Sequence, residues 1–188
     1  MFGSNSLSFA NASFNYVNID EVNANYPYTP QNWTKTNSNA TGISGVVNIE
    51  SSRWANAGFS FARPQKTGIN DSDNVLMIRN TSKSYQSYKS DSVNLSANGY
   101  ALITVEVNAQ NLTQGSYGYI FIKNSNDVIL ATVRVSNTSN WQTYKIYLHN
   151  YYTAQDLTAE LALGTSENLA QGNIYFDLDV CNKRSELC

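Results

Sequence analysis

Charge is scarce in this chain. Asp, Glu, Lys and Arg make up 14% of its 188 residues, against about 25% in an ordinary soluble domain. The 12 basic and 14 acidic residues leave a net charge of −2, which argues against a nucleic-acid binder, because such a protein carries a basic patch. Histidine occurs once, at His149. Multi-histidine metal chemistry is therefore excluded, and a Ser-His-Asp arrangement would have to use that residue with no Gly-x-Ser-x-Gly elbow before it. No apolar run approaches the ~20 residues of a membrane-spanning helix, so membrane insertion is not expected. The first six residues lack the basic and apolar regions of a signal peptide. No glycine-rich phosphate loop follows a strand and opens a helix. The two cysteines, Cys181 and Cys188, lie in the tail with no histidine nearby. They could close a small loop or stay reduced, and a zinc site is not expected.

What replaces charge is uncharged polarity. Asn, Ser and Thr make up about a third of the chain, and there are 13 tyrosines. Periodic runs of helix formers are missing, so composition favours β structure. Alternation of apolar and polar residues marks the strands. A first strand is expected within Ser6–Asn15. A loop through Pro27 and Pro30 covers Glu21–Thr36. Strands follow at Val46–Glu50 and Trp54–Ala62, although Ser51–Gly58 could hold one helical turn. Arg63–Asp73 reads as a loop. Evenly spaced strands then run over Asn74–Asn80, Ser84–Asn94, Tyr100–Ala109, Ser116–Asn124, Val128–Val135, Trp141–Asn150, Asp156–Leu163 and Asn173–Val180, with a hairpin turn at Asn124–Asp127. Many short strands at this spacing make an all-β sandwich or barrel. Residues 1–180 form one domain, and 181–188 a tail or linker.

Period two also assigns faces. Ile103, Val105, Val107, Ile120, Ile122, Ile129, Ala131, Val133, Tyr144, Ile146, Leu148, Leu157, Leu161, Leu163, Ile174, Phe176 and Leu178 face the core. The partners pointing outward on Ser116–Asn124 are Tyr117, Tyr119, Phe121 and Lys123. On Val128–Val135 they are Thr132 and Arg134, and on Asp156–Leu163 they are Thr158 and Glu160. Three aromatics on the outward side of one strand are unusual, since a solvated face normally carries Thr, Lys or Ser.

The closing strands, Trp141–Leu148, Leu157–Leu163 and Gly172–Val180, together with Asn11–Asn15, Gln31–Trp33 and the Gly68–Val75 turn, resemble the carbohydrate-binding modules of the family 4/9/22 type. The resemblance runs roughly from Ser6 to Val180. It rests on the order and spacing of its parts, and it implies a two-sheet β-sandwich of jelly-roll topology. In that topology Ser84–Asn94, Asp156–Leu163, Ser116–Asn124 and Val128–Val135 share one sheet. That sheet gathers Tyr85, Tyr88, Tyr117, Tyr119, Phe121, Arg134 and Glu160 on the surface that corresponds to the sugar groove. The expected role is non-catalytic binding of a glycan or polysaccharide within a larger secreted or cell-surface protein of a bacterium, beside neighbouring domains of the same chain. Aromatic rings would stack on sugar C–H faces, and Arg134 and Glu160 would bond hydroxyls. The resemblance also implies a structural calcium held by Asn15, Asp71, Asp73 and Asp177, although Asn15 and Leu178 stand where the family has Glu and Asp.

Other readings stand beside these. The aromatic face could be a second core covered by Glu21–Phe61, or an edge contact with a neighbouring domain, and the module could be a structural spacer or protein-adhesion domain. Asp71, Asp73 and Asp177 could be ordinary turn and surface acids. Glycosidase chemistry needs two carboxylates across a groove, and the jelly-roll arrangement splits Glu106, Glu160, Asp177 and Asp179 between opposite sheets.

Overall fold

The computed structural model describes residues 9–14, 17, 27–37, 41–49, 51–66 and 74–178. Among these are eleven strands and one helix: β1 (Trp33–Asn37), β2 (Gly42–Asn48), α1 (Ser51–Asn56), β3 (Asn74–Ser84), β4 (Gln86–Ser90), β5 (Val93–Leu95), β6 (Tyr100–Gln110), β7 (Gly118–Asn124), β8 (Ile129–Val135), β9 (Gln142–His149), β10 (Gln155–Leu163) and β11 (Ala170–Asp177). They form a two-sheet β-sandwich of jelly-roll type. The first sheet has the order β1-β4-β10-β7-β8, with β5 on the start of β10; the second has the order β2-β3-β11-β6-β9. All pairings are antiparallel. The four segments expected to share a sheet do share the first one.

Between the sheets lies the core that alternation marks. Ile103, Val105, Val107, Ile120, Ile122, Leu157, Leu161, Leu163, Ile174 and Phe176 are buried there with Leu76 and Ile78. Each such side chain contributes about 1.5–3 kcal/mol when fully withdrawn from water. The N-terminal turn plugs one part of this core. Phe9, Ala12 and Phe14 are buried, Phe14 packs on Trp33 with centroids 5.3 Å apart, and the Trp33 indole donates to the Ala10 carbonyl at 3.1 Å.

A second apolar cluster covers the outer face of the second sheet. Val47, Val75, Met77 and Tyr175 alternate with the core residues and so point away from it, against Trp54 of α1, Phe59 and Phe61. The Trp54 ring lies 4.8 Å from Phe59, 5.6 Å from Phe61 and 6.2 Å from Tyr175. The N-terminal half does build a second core, but on the sheet opposite the aromatic face.

Several expectations need correction. The described part of Ser6–Asn15 is a turn, because Phe14 N–H returns to the Asn11 carbonyl. Trp54–Ala62 is not a strand: its aromatics close over a six-residue helix and the following turn. Trp33–Asn37, read as loop, is an edge strand on β4. Ser84–Asn94 is broken into the end of β3, a bend at Tyr85, then β4 and β5. Ile129 does not face the core. A bulge between Ile122 and Lys123 brings Ile129 opposite Lys123, on the outward row, and it is 51% exposed.

Candidate functional site

The outward face of the first sheet carries a groove of about 800 Å³, and antiparallel register builds it row by row. Ser87, Ala162 and Tyr119 lie side by side on β4, β10 and β7. In the next row Lys89, Glu160, Phe121 and Thr132 are adjacent, and in the next Thr158, Lys123 and Ile129. The small Ala162 keeps the floor low beside Tyr119. The walls are Thr36 of β1, Tyr85 at the bend, Ile129, and the loop from Gly164 to Asn168.

Tyr119 and Phe121 form the aromatic element, with centroids 5.4 Å apart and planes within 7° of parallel. Tyr119 is 9% exposed, and its hydroxyl accepts a hydrogen bond from the Asn168 side-chain amide at 2.7 Å. Phe121 is more open and has the Lys123 ammonium 5.5 Å from its centroid. Glu160 supplies the polar centre. Its Oε2 pairs with Lys123, and its Oε1 accepts from the Ser87 hydroxyl at 2.6 Å. A carboxylate accepts about four hydrogen bonds, so Glu160 keeps capacity for a ligand hydroxyl. One end of the face is crossed by the Lys89–Asp127 ion pair at 2.5 Å. This pair reaches from β4 to the β7–β8 turn and holds the fully exposed Asp127 carboxyl below the usual range through its hydrogen bond to Lys89.

The groove therefore gathers Tyr85, Tyr119, Phe121 and Glu160 of the expected set. Tyr117 and Arg134 flank it: the Arg134 guanidinium covers the Tyr117 ring at 4.5 Å. Tyr88 points the other way. It is 1% exposed in the core between the sheets, and its hydroxyl lies 3.1 Å from Ser44 Oγ on the opposite sheet. Period two runs unbroken through Tyr85, so that Tyr85, Ser87 and Lys89 share the outward side and Tyr88, three residues from Tyr85, takes the inward one. Alternation could not reveal Thr36 or the 164–168 loop, because the first sits in an unrecognised strand and the second is not a strand, whereas Ser87 shares the parity of Tyr85 and was open to it. Among the described residues, Thr36 is the one contributor to the groove from the segment before β2.

Of the four expected calcium ligands, the described structure includes one, Asp177. Asn15, Asp71 and Asp73 lie outside the described residues. Asp177 Oδ2 accepts from Lys66 at 2.6 Å, and Lys66 also reaches Glu106 at 2.7 Å. Burial would push the Lys66 pKa down, but the Asp177 and Glu106 carboxylates more than offset this and hold it above the ordinary lysine value. An ammonium thus sits where a divalent cation would need open carboxylate oxygens, and among the described residues no three acidic, histidine or cysteine side chains cluster for a metal. His149 and the Glu106–Asp177 pair lie on the second sheet, away from Glu160.

No family model and no curated protein sequence matches the chain. Solved structures match its fold. A carbohydrate-binding module of family 4 covers 92% of this chain and 97% of its own length, with a TM-score of 0.52 and 18% identity. The arabinose-bound α-L-arabinofuranosidase MgGH51 covers 92%, with a TM-score of 0.57 and 11% identity. The enzymatically active domain of bacteriophage CBA120 tailspike protein 4 covers 92%, with a TM-score of 0.49 and 13% identity. The chain spans 25% and 21% of the length of these last two proteins. At such identities the likeness is one of fold: the chain is a carbohydrate-binding-module-like β-sandwich.

Proposed function

We propose that this chain is a non-catalytic glycan-binding module of a larger secreted or cell-surface bacterial protein. It would hold a polysaccharide segment in the groove of the first sheet. The observation that carries the reading is the paired Tyr119–Phe121 platform beside Glu160 and Lys123, in a groove whose volume falls within the range of about 300–1,000 Å³ typical of ligand sites. Phe121 offers the more open ring for a sugar's C–H face, while Glu160, Lys123 and Ser87 present hydrogen-bonding groups at its edge. Binding without hydrolysis is supported by Glu160 itself: Lys123 and Ser87 hold its two oxygens, whereas Glu167, the other groove carboxylate, stands exposed on a loop.

Affinity electrophoresis of the protein in gels containing soluble xylan, β-glucan or galactan tests this. Retardation by one polysaccharide is expected, reduced about tenfold in affinity in Phe121→Ala, with no release of reducing sugar. Unchanged retardation in that variant would remove the groove from the reading.

The burial of Tyr119 favours a second reading, a spacer or protein-adhesion module of the same fold. Absence of retardation across the panel would favour it.

A further inference from the structure

Aromatic side chains concentrate a second time, on the outward face of the second sheet. Tyr100 of β6 lies directly opposite His149 of β9, and Leu102 opposite Tyr147. The Tyr100 and His149 rings stack with centroids 4.0 Å apart and planes 6° from parallel, and Tyr151 packs on the other partner of that pair at 3.8 Å from His149. Among the described residues, the exposed large hydrophobic side chains include four tyrosines; Tyr100 at 47%, Tyr147 at 72% and Tyr151 at 68% are here, and Tyr152 at 83% follows on the same loop.

Water is a poor solvent for ring faces, so three such rings grouped on one surface with His149 call for an account. The loop that carries Tyr151 is held in place. Asn150 is buried, and its side-chain amide donates to the carbonyls of Leu95, Ser96 and Thr153, while its carbonyl oxygen accepts from Tyr152 N–H. The rings are thus presented on a pinned backbone and lose little freedom on binding. The chemistry of the surface is also specific. Leu102 is the one aliphatic member, each tyrosine pairs an apolar ring with a hydroxyl tip, and the adjoining row, Thr104 and Lys145, brings a single charge. Rings with hydroxyl edges and almost no charge suit a neutral ligand that has apolar C–H faces and many hydroxyls.

We propose that Tyr100, Tyr147, His149 and Tyr151 form a second carbohydrate-binding surface, an open platform for neutral polysaccharide at a solid surface. It lies on the opposite side of the sandwich from the groove and shares no residue with it. A groove encloses one dissolved chain; an open row of rings lies against chains packed side by side.

The test is depletion of the whole protein from solution by microcrystalline cellulose, insoluble chitin and insoluble xylan. It compares the wild type, the double variant Tyr147→Ala/Tyr151→Ala, and Phe121→Ala. Both tyrosines are solvent-facing, and an unchanged melting temperature checks that the double variant is folded. Capture of the wild type by at least one solid is expected, weakened about tenfold in the tyrosine variant, while that variant keeps whatever retardation the soluble polysaccharides give. Equal capture of the variant and wild type, or no capture of the wild type by any of the three, would overturn the proposal. So would a tyrosine variant that alters only the sedimentation coefficient, which would mark the face as a contact between copies. Failure of the groove reading appears separately, in the soluble assay with Phe121→Ala.

Discussion

Two tyrosines show how position decides what a residue does. Tyr88 and Tyr147 have the same ring and hydroxyl, and both lie on strands where apolar and polar residues alternate. Tyr88 is enclosed by the core, so Tyr88→Ala is expected to cost about 3–5 kcal/mol by leaving a cavity. Tyr147→Ala on the open face should change stability by no more than about 0.5 kcal/mol. Chemical denaturation of both variants checks the contrast. Lys66 is a third instructive residue. It bridges Asp177 and Glu106 while largely withdrawn from solvent, and Lys66→Met leaves two acids facing each other across adjacent strands, at a cost on the order of 2 kcal/mol. Its pKa is raised on folding, so its contribution is complete below the unfolded lysine value of about 10.5 and disappears as pH rises through the higher folded value.

At the scale of elements, long strands with uninterrupted alternation were readable from the sequence, and the interruptions were not. Ile120 and Ile122 face the core because β7 keeps its period, and so do Ile103, Val105 and Val107 in β6. Ile129 escapes because the bulge after Ile122 inserts a residue that no polarity pattern marks. Tyr88 is different: β4 keeps its period, and grouping Tyr88 with Tyr85 on one face goes against that period, because the two are three residues apart. In the β7–β8 turn the sequence was informative. Asn124 Oδ1 accepts from the N–H groups of Asn126 and Val128 at 3.0 Å, and Asp127 takes a φ of 59°, which Asp tolerates better than most residues. β1 was hidden by its own composition: Lys35 takes the inward parity opposite Tyr88, yet at the sheet edge it stays exposed to solvent, and partial desolvation lowers its pKa. An inward lysine reads as loop, yet it is a device by which edge strands resist pairing with other chains. The groove rim depends on Gly164, whose φ of 75° is combined with an added Cβ only 2.8 Å from the Ser84 carbonyl and 2.9 Å from Ala170 N. Gly164→Ala is expected to lower stability by about 1–3 kcal/mol. It should also weaken polysaccharide retardation, since the same loop delivers Asn168 to Tyr119.

For the whole molecule, two groups packed at the second sheet point to one pH response. The Tyr175 phenol is pushed up by burial, only partly countered by the Arg79 guanidinium, and Lys66 is raised as described. Both groups stay in their low-pH form in the folded protein while their unfolded counterparts titrate. Stability should therefore hold to about pH 10 and fall steadily above it. Melting temperatures between pH 8 and 12 check this, with a shallower decline in Lys66→Met and in Tyr175→Phe. A melt in calcium against one in chelator addresses the ion at Asp177. With Lys66 on that carboxylate the expected result is no shift, and a rise of several degrees in calcium would show that the ion displaces the ammonium and binds the native state.

The second cluster, over Val47, Val75, Met77 and Tyr175, also bears on where this domain can be cut. A shortened chain that began at β3 would keep most of both sheets on paper, but it would lose β2 with Val47 and the Trp54, Phe59 and Phe61 cover. A flat apolar sheet face would then meet solvent, next to a newly unpaired β3 edge. Such a fragment would stack with its own copies and precipitate. The smallest piece that can be expressed as a soluble protein must therefore keep the segment from β2 through Lys66, although none of its described residues lines the groove.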